Sequence, residues 1–175
     1  MELTIFILRL AIYILTFPLY LLNFLGLWSW ICKKWFPYFL VRFTVIYNEQ
    51  MASKKRELFS NLQEFAGPSG KLSLLEVGCG TGANFKFYPP GCRVLRPGGA
   101  FYFMEHVAAE CSTWNYFWQQ VLDPAWHLLF DGCNLTRESW KALERASFSK
   151  LKLQHIQAPL SWELVRPHIY GYAVK

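Results

Sequence analysis

The stretch LLEVGCGTG, residues 74–82, constrains the fold more than any other part of the sequence. It predicts a short apolar strand that ends in a glycine-rich turn. The glycines at 78, 80 and 82 carry no Cβ, so a ligand can approach the backbone closely. A helix beginning after such a turn would offer free N–H groups to an anionic group. The stretch therefore predicts a cofactor site at the end of a strand.

The residue before the turn narrows the choice of cofactor. Glu76 places a carboxylate two positions before the first glycine, which gives the E/D-x-G-x-G-x-G form of class I S-adenosylmethionine-dependent methyltransferases. The turn at residues 95–99 and the run AFYFMEH (100–106) are similar to that family's turn and fifth strand. The chain resembles this family, which implies an α/β fold and S-adenosylmethionine as cofactor. The resemblance implies cofactor contacts from Glu76, Gly78, Cys79, Gly80 and Gly82.

With Ala83, the same glycines also satisfy the looser dinucleotide pattern G-x-G-x-x-G/A. A nicotinamide enzyme is therefore an alternative, which Glu76 disfavours.

The N-terminal segment is predicted to anchor the chain in a membrane. Residues 10–32 contain no charged residue, and a helix of that length reaches about 34 Å, enough for a hydrocarbon core of about 30 Å. No cleavage site follows the apolar run, which favours a retained anchor over a signal peptide. Pro18 should kink the helix, and a second apolar run at 35–47 leaves a re-entrant hairpin as an alternative to a single span. A buried core helix in a soluble protein is disfavoured by the length.

Flanking charges predict which side of the membrane the rest of the chain occupies. Basic residues after the apolar segment outnumber those before it, and the positive-inside rule then places the C-terminal part in the cytosol. The sequon Asn134-Leu135-Thr136 is therefore expected to be unmodified. The basic residues in question are Lys33, Lys34, Arg42, Lys54, Lys55 and Arg56.

The anchor followed by EVGCGTG, RPGGAFYFMEHV and a C-terminal HIYGYA resembles the small membrane-bound, methyltransferase-like thiol S-methyltransferases. The resemblance implies methyl transfer from S-adenosylmethionine to the sulfur of a small alkyl thiol. It also implies membrane lipid as a partner, and a location at the endoplasmic reticulum membrane and lipid droplets. The net charge of +6 without a dense arginine tract disfavours nucleic acid as a partner, and five cysteines without a CxxC pair give no support for a metal.

The glycine turn and the RPGG turn lie too close together for a complete domain of this family. Only residues 83–94 separate them, whereas one βαβ unit needs about 30 residues. The sequence therefore predicts an α/β fold with an incomplete class I methyltransferase sheet. The chain would be an internally shortened form of a family member, such as an alternative isoform. The strand that holds the ribose hydroxyls in the family has no counterpart. We expect weak or absent cofactor binding and impaired catalysis, the alternative being a non-catalytic, membrane-anchored remnant.

The remaining pattern predicts the order of elements. Residues 1–34 are expected to form the membrane anchor, 35–70 membrane-proximal helices and a linker, and 71–175 the truncated methyltransferase domain. Helical spacing predicts an amphipathic segment at 48–65, a helix at 112–130 interrupted by Pro124, and a helix capped by Thr136 that ends near Ser147. Strands are predicted at 100–107, 151–156 and 168–174.

Two polar residues at a strand end are weak catalytic candidates. Glu105 and His106 close the AFYFMEH run, where α/β folds place ligand groups. His127, His155 and His168 are expected to be structural or surface residues. Trp114, Trp118 and Trp126 are expected to pack in the core, although they could instead line a thiol pocket or contact lipid.

Overall fold

The computed structural model describes residues 1–65 and 100–174. The glycine turn, the short connection that follows it and the RPGG turn all lie outside these described residues. Within them the protein is α/β with an apolar N-terminal helix, as predicted, and its strands form a small antiparallel sheet. The helices are α1 (Glu2–Phe24), α2 (Leu27–Gln50), α3 (Ala52–Leu58), α4 (Trp114–Leu129) and α5 (Ser139–Arg145), and the strands are β1 (Ala100–His106), β2 (Lys150–Gln157) and β3 (Pro167–Val174).

The three described strands form one sheet in the order β1-β3-β2, and both pairings are antiparallel. The central strand β3 is buried along most of its length, which explains its nearly continuous apolar run. The sheet is consistent with part of a class I methyltransferase sheet. The C-terminal ends of β1 and β2 lie at the same end of the sheet as the N-terminal end of β3.

The predicted apolar helix does not continue to residue 32. The chain turns at Leu25 and Gly26, where α1 ends and α2 begins. Gly26 has a φ of +74°, a left-handed conformation that glycine adopts without a Cβ penalty. Pro18 lies within α1 without ending it. Among the described helices, α1 is long and apolar enough to cross a membrane by length and composition.

Helix α1 packs along α4, and three side chains of α1 and α2 donate hydrogen bonds to α4. Arg9 Nε donates to the carbonyl of Gln120 (2.6 Å), Tyr20 to that of Pro124 (2.9 Å), and Trp28 to that of Leu128 (2.8 Å). The contacts follow the same order along both chain segments. The N-terminal ends of α1 and α4 therefore lie toward the same end of the pair.

The predicted interruption at Pro124 is wrong, because α4 continues to Leu129. Proline lacks an N–H, so within a helix the carbonyl four residues earlier loses its usual donor. That carbonyl belongs to Gln120, and Arg9 from α1 donates to it instead. A tertiary contact thus satisfies the acceptor that Pro124 leaves open.

The helix predicted to begin at Thr136 begins at Ser139, so Thr136 is not its cap. The backbone N–H groups of Leu135 and Thr136 instead donate to Asp123 Oδ1, at 2.6 and 3.3 Å. This carboxylate holds the segment after α4 against the helix itself. The local sequence suggested that Thr136 caps a helix, but the Asp123 side chain determines the conformation at Leu135 and Thr136.

The end of α2 belongs to the core of the sheet domain. Met51, which follows it, is fully buried with Leu135, Ala158 and Val165, and Tyr47 packs against this cluster. The burial of Met51, Leu58 and Leu62 agrees with the amphipathic pattern predicted for 48–65. The expected boundary at residue 34 falls within α2, and the three-part division of the chain stays a prediction.

Candidate functional site

The residues expected to contact the cofactor cannot be placed. Glu76, Gly78, Cys79, Gly80 and Gly82 all lie outside the described residues. The structure does place Glu105 and His106, which end β1 as the sequence predicts.

The imidazole of His106 lies in a polar cluster at the end of β1. Its Nε2 lies 3.1 Å from the carbonyl oxygen of Asn134 and 3.5 Å from Cys133 Sγ. A carbonyl oxygen only accepts, so Nε2 carries the hydrogen and, in the neutral ring, Nδ1 is the unprotonated nitrogen. Burial lowers the pKa of His106, which keeps the ring neutral at pH 7. The cluster therefore holds a neutral imidazole in one tautomer.

A second imidazole lies beside the first. The ring centroids of His106 and His168 are 6.3 Å apart. His168 Nδ1 donates to the carbonyl of Arg166 at 3.2 Å, and the Tyr47 hydroxyl donates to His168 Nε2 at 3.2 Å. Burial lowers the pKa of His168 to about 4, so this ring is also neutral at pH 7. The expectation that His168 is structural is consistent with these contacts, which also join α2 to the site.

Glu105 does not join this cluster. Successive side chains of a strand point to opposite faces, so Glu105 and His106 face away from each other. In β3, Glu105 lies opposite Ile169, whereas His106 lies opposite His168. Of the two weak catalytic candidates, the structure places only His106 with other polar groups of the site.

An open cavity of about 720 Å³ adjoins this cluster at the sheet edge where β1 and β2 end. A volume of that size suits a small organic ligand, since ligand cavities span roughly 300–1,000 Å³. His168 lines the cavity, so the cavity and the polar cluster share one residue. Other lining residues are Ala108, Ala109, Cys111, Trp140 and His155.

A glutamine buried in α4 fixes one wall of the cavity. Gln119 has no exposed surface, and its Oε1 accepts from the N–H of Ala109 at 2.7 Å. Its Nε2 donates to the carbonyls of Leu164 (2.8 Å) and Val107 (3.3 Å). Gln119 was not singled out from the sequence, although its place in the helical row of apolar residues was a signal of burial.

The remaining histidines and the tryptophan row divide between surface and core. His127 and His155 are exposed, as expected. Trp126 packs against the core, but Trp114 and Trp118 are 72% and 40% exposed. Core packing is therefore the wrong prediction for those two tryptophans. Their side chains project from the first turns of α4, where α4 begins beside the cavity.

The donor set in the described part of the chain does not fit a metal. Within residues 1–65 and 100–174, no group of three or more His, Cys, Asp or Glu side chains could hold a metal ion. The described cysteines Cys32, Cys111 and Cys133 are free thiols.

Comparison with known proteins identifies close relatives. No protein-family model matches the sequence. The human thiol S-methyltransferase TMT1A (Homo sapiens) is 72% identical over 244 positions, and the alignment covers 100% of both chains. Human TMT1B and rat (Rattus norvegicus) TMT1B, both also thiol S-methyltransferases, are 38% and 36% identical over alignments that cover both chains completely.

The alignment with TMT1A also indicates how the chain differs from that relative. Of the 244 positions, 175 hold the residues of this chain, so 69 positions have no residue in it. Seventy-two per cent of 244 is about 175, so nearly every residue present is identical. Because both ends are aligned, the missing positions are internal, in agreement with the predicted shortening. At this identity and coverage, the chain belongs to the thiol S-methyltransferase family.

Proposed function

We propose that the chain is a membrane-associated, shortened thiol S-methyltransferase that is impaired in methyl transfer from S-adenosylmethionine to alkyl thiols. The observation that carries the proposal is the end-to-end alignment in which 69 internal positions have no counterpart. Family membership supports the reaction class and the methyl donor. The internal loss supports the impairment.

The loss affects the donor side of the reaction most. The strand that binds the ribose hydroxyls in the family is missing. The donor contacts that the resemblance still implies come from Glu76, Gly78, Cys79, Gly80 and Gly82. Hydrogen bonds to charged groups contribute about 1.5–3 kcal/mol each, so losing a bidentate ribose contact weakens binding substantially. Missing pocket walls cost more, because small-molecule sites bury most of the ligand surface.

The acceptor side is supported by the described geometry. A thiol must lose its proton to become a good nucleophile. His106 has an unprotonated Nδ1 because Asn134 holds the other nitrogen, so this imidazole can accept a thiol proton. We propose His106, rather than Glu105, as the acid–base group of the family's reaction.

Membrane association is supported by the surface of α1. One side of this helix faces α4, while the other exposes a row of large apolar side chains to the surroundings. The bonds from Arg9, Tyr20 and Trp28 to α4 favour a hairpin held in one leaflet over an isolated span. The exposed side chains include Leu3, Phe6, Leu10, Ile14, Phe17 and Leu21. We propose the endoplasmic reticulum membrane and lipid droplets as location, with the sheet domain in the cytosol.

Restoring the missing internal segment is expected to raise the rate of methyl transfer by at least about 100-fold. An adenosine site supplies several hydrogen bonds, each contributing about 1.5–3 kcal/mol, and each 1.36 kcal/mol corresponds to about a tenfold change in rate. The measurement is transfer of a labelled methyl group from S-adenosylmethionine to an alkyl thiol, made with both chains in the same vesicles. Calorimetry should show micromolar donor affinity only for the restored chain. Equal rates, or micromolar affinity of the short chain, would contradict the impairment.

The same assay addresses a second function, a non-catalytic remnant that acts through its location. The bonding of α1 to the domain by Arg9, Tyr20 and Trp28 favours this reading, because location could persist without catalysis. If the chain is a non-catalytic remnant, it should transfer methyl groups no faster than the uncatalysed reaction. An impaired enzyme requires a low rate that is abolished by His106→Ala.

Asn134 is expected to remain unglycosylated in a eukaryotic cell, because the sheet domain is proposed to face the cytosol. Its side chain is also engaged locally: Nδ2 donates to the carbonyl of Gly132, and Oδ1 accepts from His127 Nδ1 at 3.0 Å. The measurement is the mass of the expressed protein before and after glycosidase treatment. As a positive control, the same chain carries an added signal peptide and should become glycosylated. A glycosidase-sensitive mass on the unaltered protein would reverse the proposed orientation.

A further inference from the structure

We infer that the cavity at the end of β1 opens beside the lipid surface and takes thiols with long apolar chains from the membrane. The inference rests on the proposed function, and it adds the class of thiol and the route by which the thiol arrives.

The cavity lies directly before the first turn of α4. Residues 108–112 line it, Thr113 caps α4 through a hydrogen bond from the N–H of Tyr116, and Trp114 is the first residue of the helix. Trp114 is 72% exposed, although its ring stacks on Phe117 with centroids 4.9 Å apart. A large aromatic side chain with most of its surface uncovered therefore follows the cavity-lining segment directly.

The proposed membrane-binding helix brings its own apolar surface to the same end of the molecule. Because α1 and α4 run in the same direction, the N-terminal residues of α1 lie toward the N-terminal end of α4. Leu3 and Phe6 are 71% and 64% exposed there. Trp114 and Trp118 are exposed at the corresponding end of α4, and we take these four residues together as an apolar entrance patch. Exposed tryptophan at the edge of an apolar surface is typical of membrane interfaces.

Part of the cavity wall suits an apolar chain. Ala108, Ala109 and Ile156 are apolar, and the Trp140 ring lies edge-on to His155 with centroids 5.2 Å apart. Of the charged lining residues, Lys141 and Glu138 form an ion pair at 2.6 Å and offset each other, and Glu110 is exposed to solvent. His168, which also lines the cavity, is buried and neutral. A thiol head group in the cavity can therefore lie beside His168 while its alkyl chain extends toward the entrance patch.

Cys111 allows the inference to be tested without methyl transfer. It is exposed and lines the cavity, so its alkylation by N-ethylmaleimide reports whether the cavity is filled. The probe is dodecyl methyl sulfide, a thioether of the proposed product class that does not react with maleimide. Labelling of Cys111 is followed by peptide mass spectrometry on the full chain in phosphatidylcholine vesicles, and Cys111→Ser confirms the labelled peptide.

Dodecyl methyl sulfide in the vesicles is expected to slow labelling of Cys111 about tenfold, whereas ethyl methyl sulfide at the same concentration should have little effect, because the hydrophobic effect concentrates only the long chain in the bilayer, from which the cavity is proposed to fill. Replacing both entrance tryptophans, Trp114→Gln with Trp118→Gln, should remove most of this protection. Trp162→Gln is the matched control, because Trp162 is 45% exposed but lies outside the entrance patch, stacked on Phe39 of α2.

Equal protection by the two sulfides, or full protection in the Trp114→Gln/Trp118→Gln variant, would overturn the inference while leaving the proposed reaction intact. Absence of protection by either sulfide would also overturn it. Failure of the proposed function would instead be seen in the methyl-transfer assay of the restored chain, which does not depend on Cys111 labelling.

Discussion

Gly171→Ala is expected to destabilise the sheet domain by about 3 kcal/mol or more, since overpacking and a strained backbone each cost roughly 1–3 kcal/mol. Gly171 lies in the central strand, between Phe103 of β1 and Leu153 of β2. A Cβ at this position would lie 1.8 Å from the carbonyl oxygen of Lys152 and 2.9 Å from its carbonyl carbon. Both atoms belong to the backbone of the neighbouring strand, so β2 must move away from β3 to make room.

The measurement is denaturant unfolding in detergent micelles, followed by near-ultraviolet circular dichroism of the aromatic residues. Gly132→Ala is the matched control, because Gly132 also has a positive φ (+86°) but its added Cβ would only touch His127 at 3.8 Å. That control should cost about 1–2 kcal/mol, the usual penalty of a left-handed residue. A Gly171→Ala variant no less stable than Gly132→Ala would show that β2 and β3 are not packed as described.

The strands were predictable because their apolar patterns are local. The runs at 100–107, 151–156 and 168–174 fall on β1, β2 and β3, and the buried central strand shows the longest apolar run. The antiparallel order β1-β3-β2 was not predicted. Pairing depends on contacts between residues that are distant in sequence, such as Glu105 opposite Ile169, and no local pattern specifies these.

The errors in the helices also have tertiary causes. Pro124 removes a donor from the helix, but Arg9 lies more than a hundred residues earlier and supplies another. Thr136 has the side chain of a cap, but Asp123 draws its backbone N–H toward α4 instead. In these two cases a distant group overrode the local preference. The apolar segment 10–32 is different, because Gly26 lies within it and ends the first helix locally through its left-handed backbone.

The candidate site was predictable only in part. Position at a strand end identified His106, since ligand groups of α/β folds collect there. The groups that define its environment come from other elements: Asn134 and Cys133 follow α4, and Tyr47 lies in the helix expected to be membrane-proximal. Strand alternation alone separates Glu105 from His106, but it cannot say which face carries the cluster.

Gln119→Leu is expected to destabilise the domain by about 3 kcal/mol and to loosen the cavity wall. The substitution keeps a similar volume but leaves the buried N–H of Ala109 and the carbonyls of Leu164 and Val107 without their side-chain partner. Each buried polar group left unpaired costs about 1–3 kcal/mol. The loss should appear in denaturant unfolding, and hydrogen exchange of the Ala109 amide should accelerate more than that of amides in β3.

Gln120→Leu is the matched control, because Gln120 is the next residue of α4 and its described contact outside the helix is made by its backbone carbonyl, not by its side chain.

A second variant separates hydrogen bonding from packing. In Gln119→Glu the ionised side chain still accepts from Ala109, but it has no hydrogen to donate to Leu164 or Val107. Burial should raise the pKa of the new carboxyl above its unfolded value. Protonation then restores a donor, so the stability deficit of this variant relative to the unaltered protein should shrink as the pH falls through that pKa. A deficit that is constant with pH, or a Gln120→Leu loss as large as that of Gln119→Leu, would show that Gln119 acts through packing and not through its three hydrogen bonds.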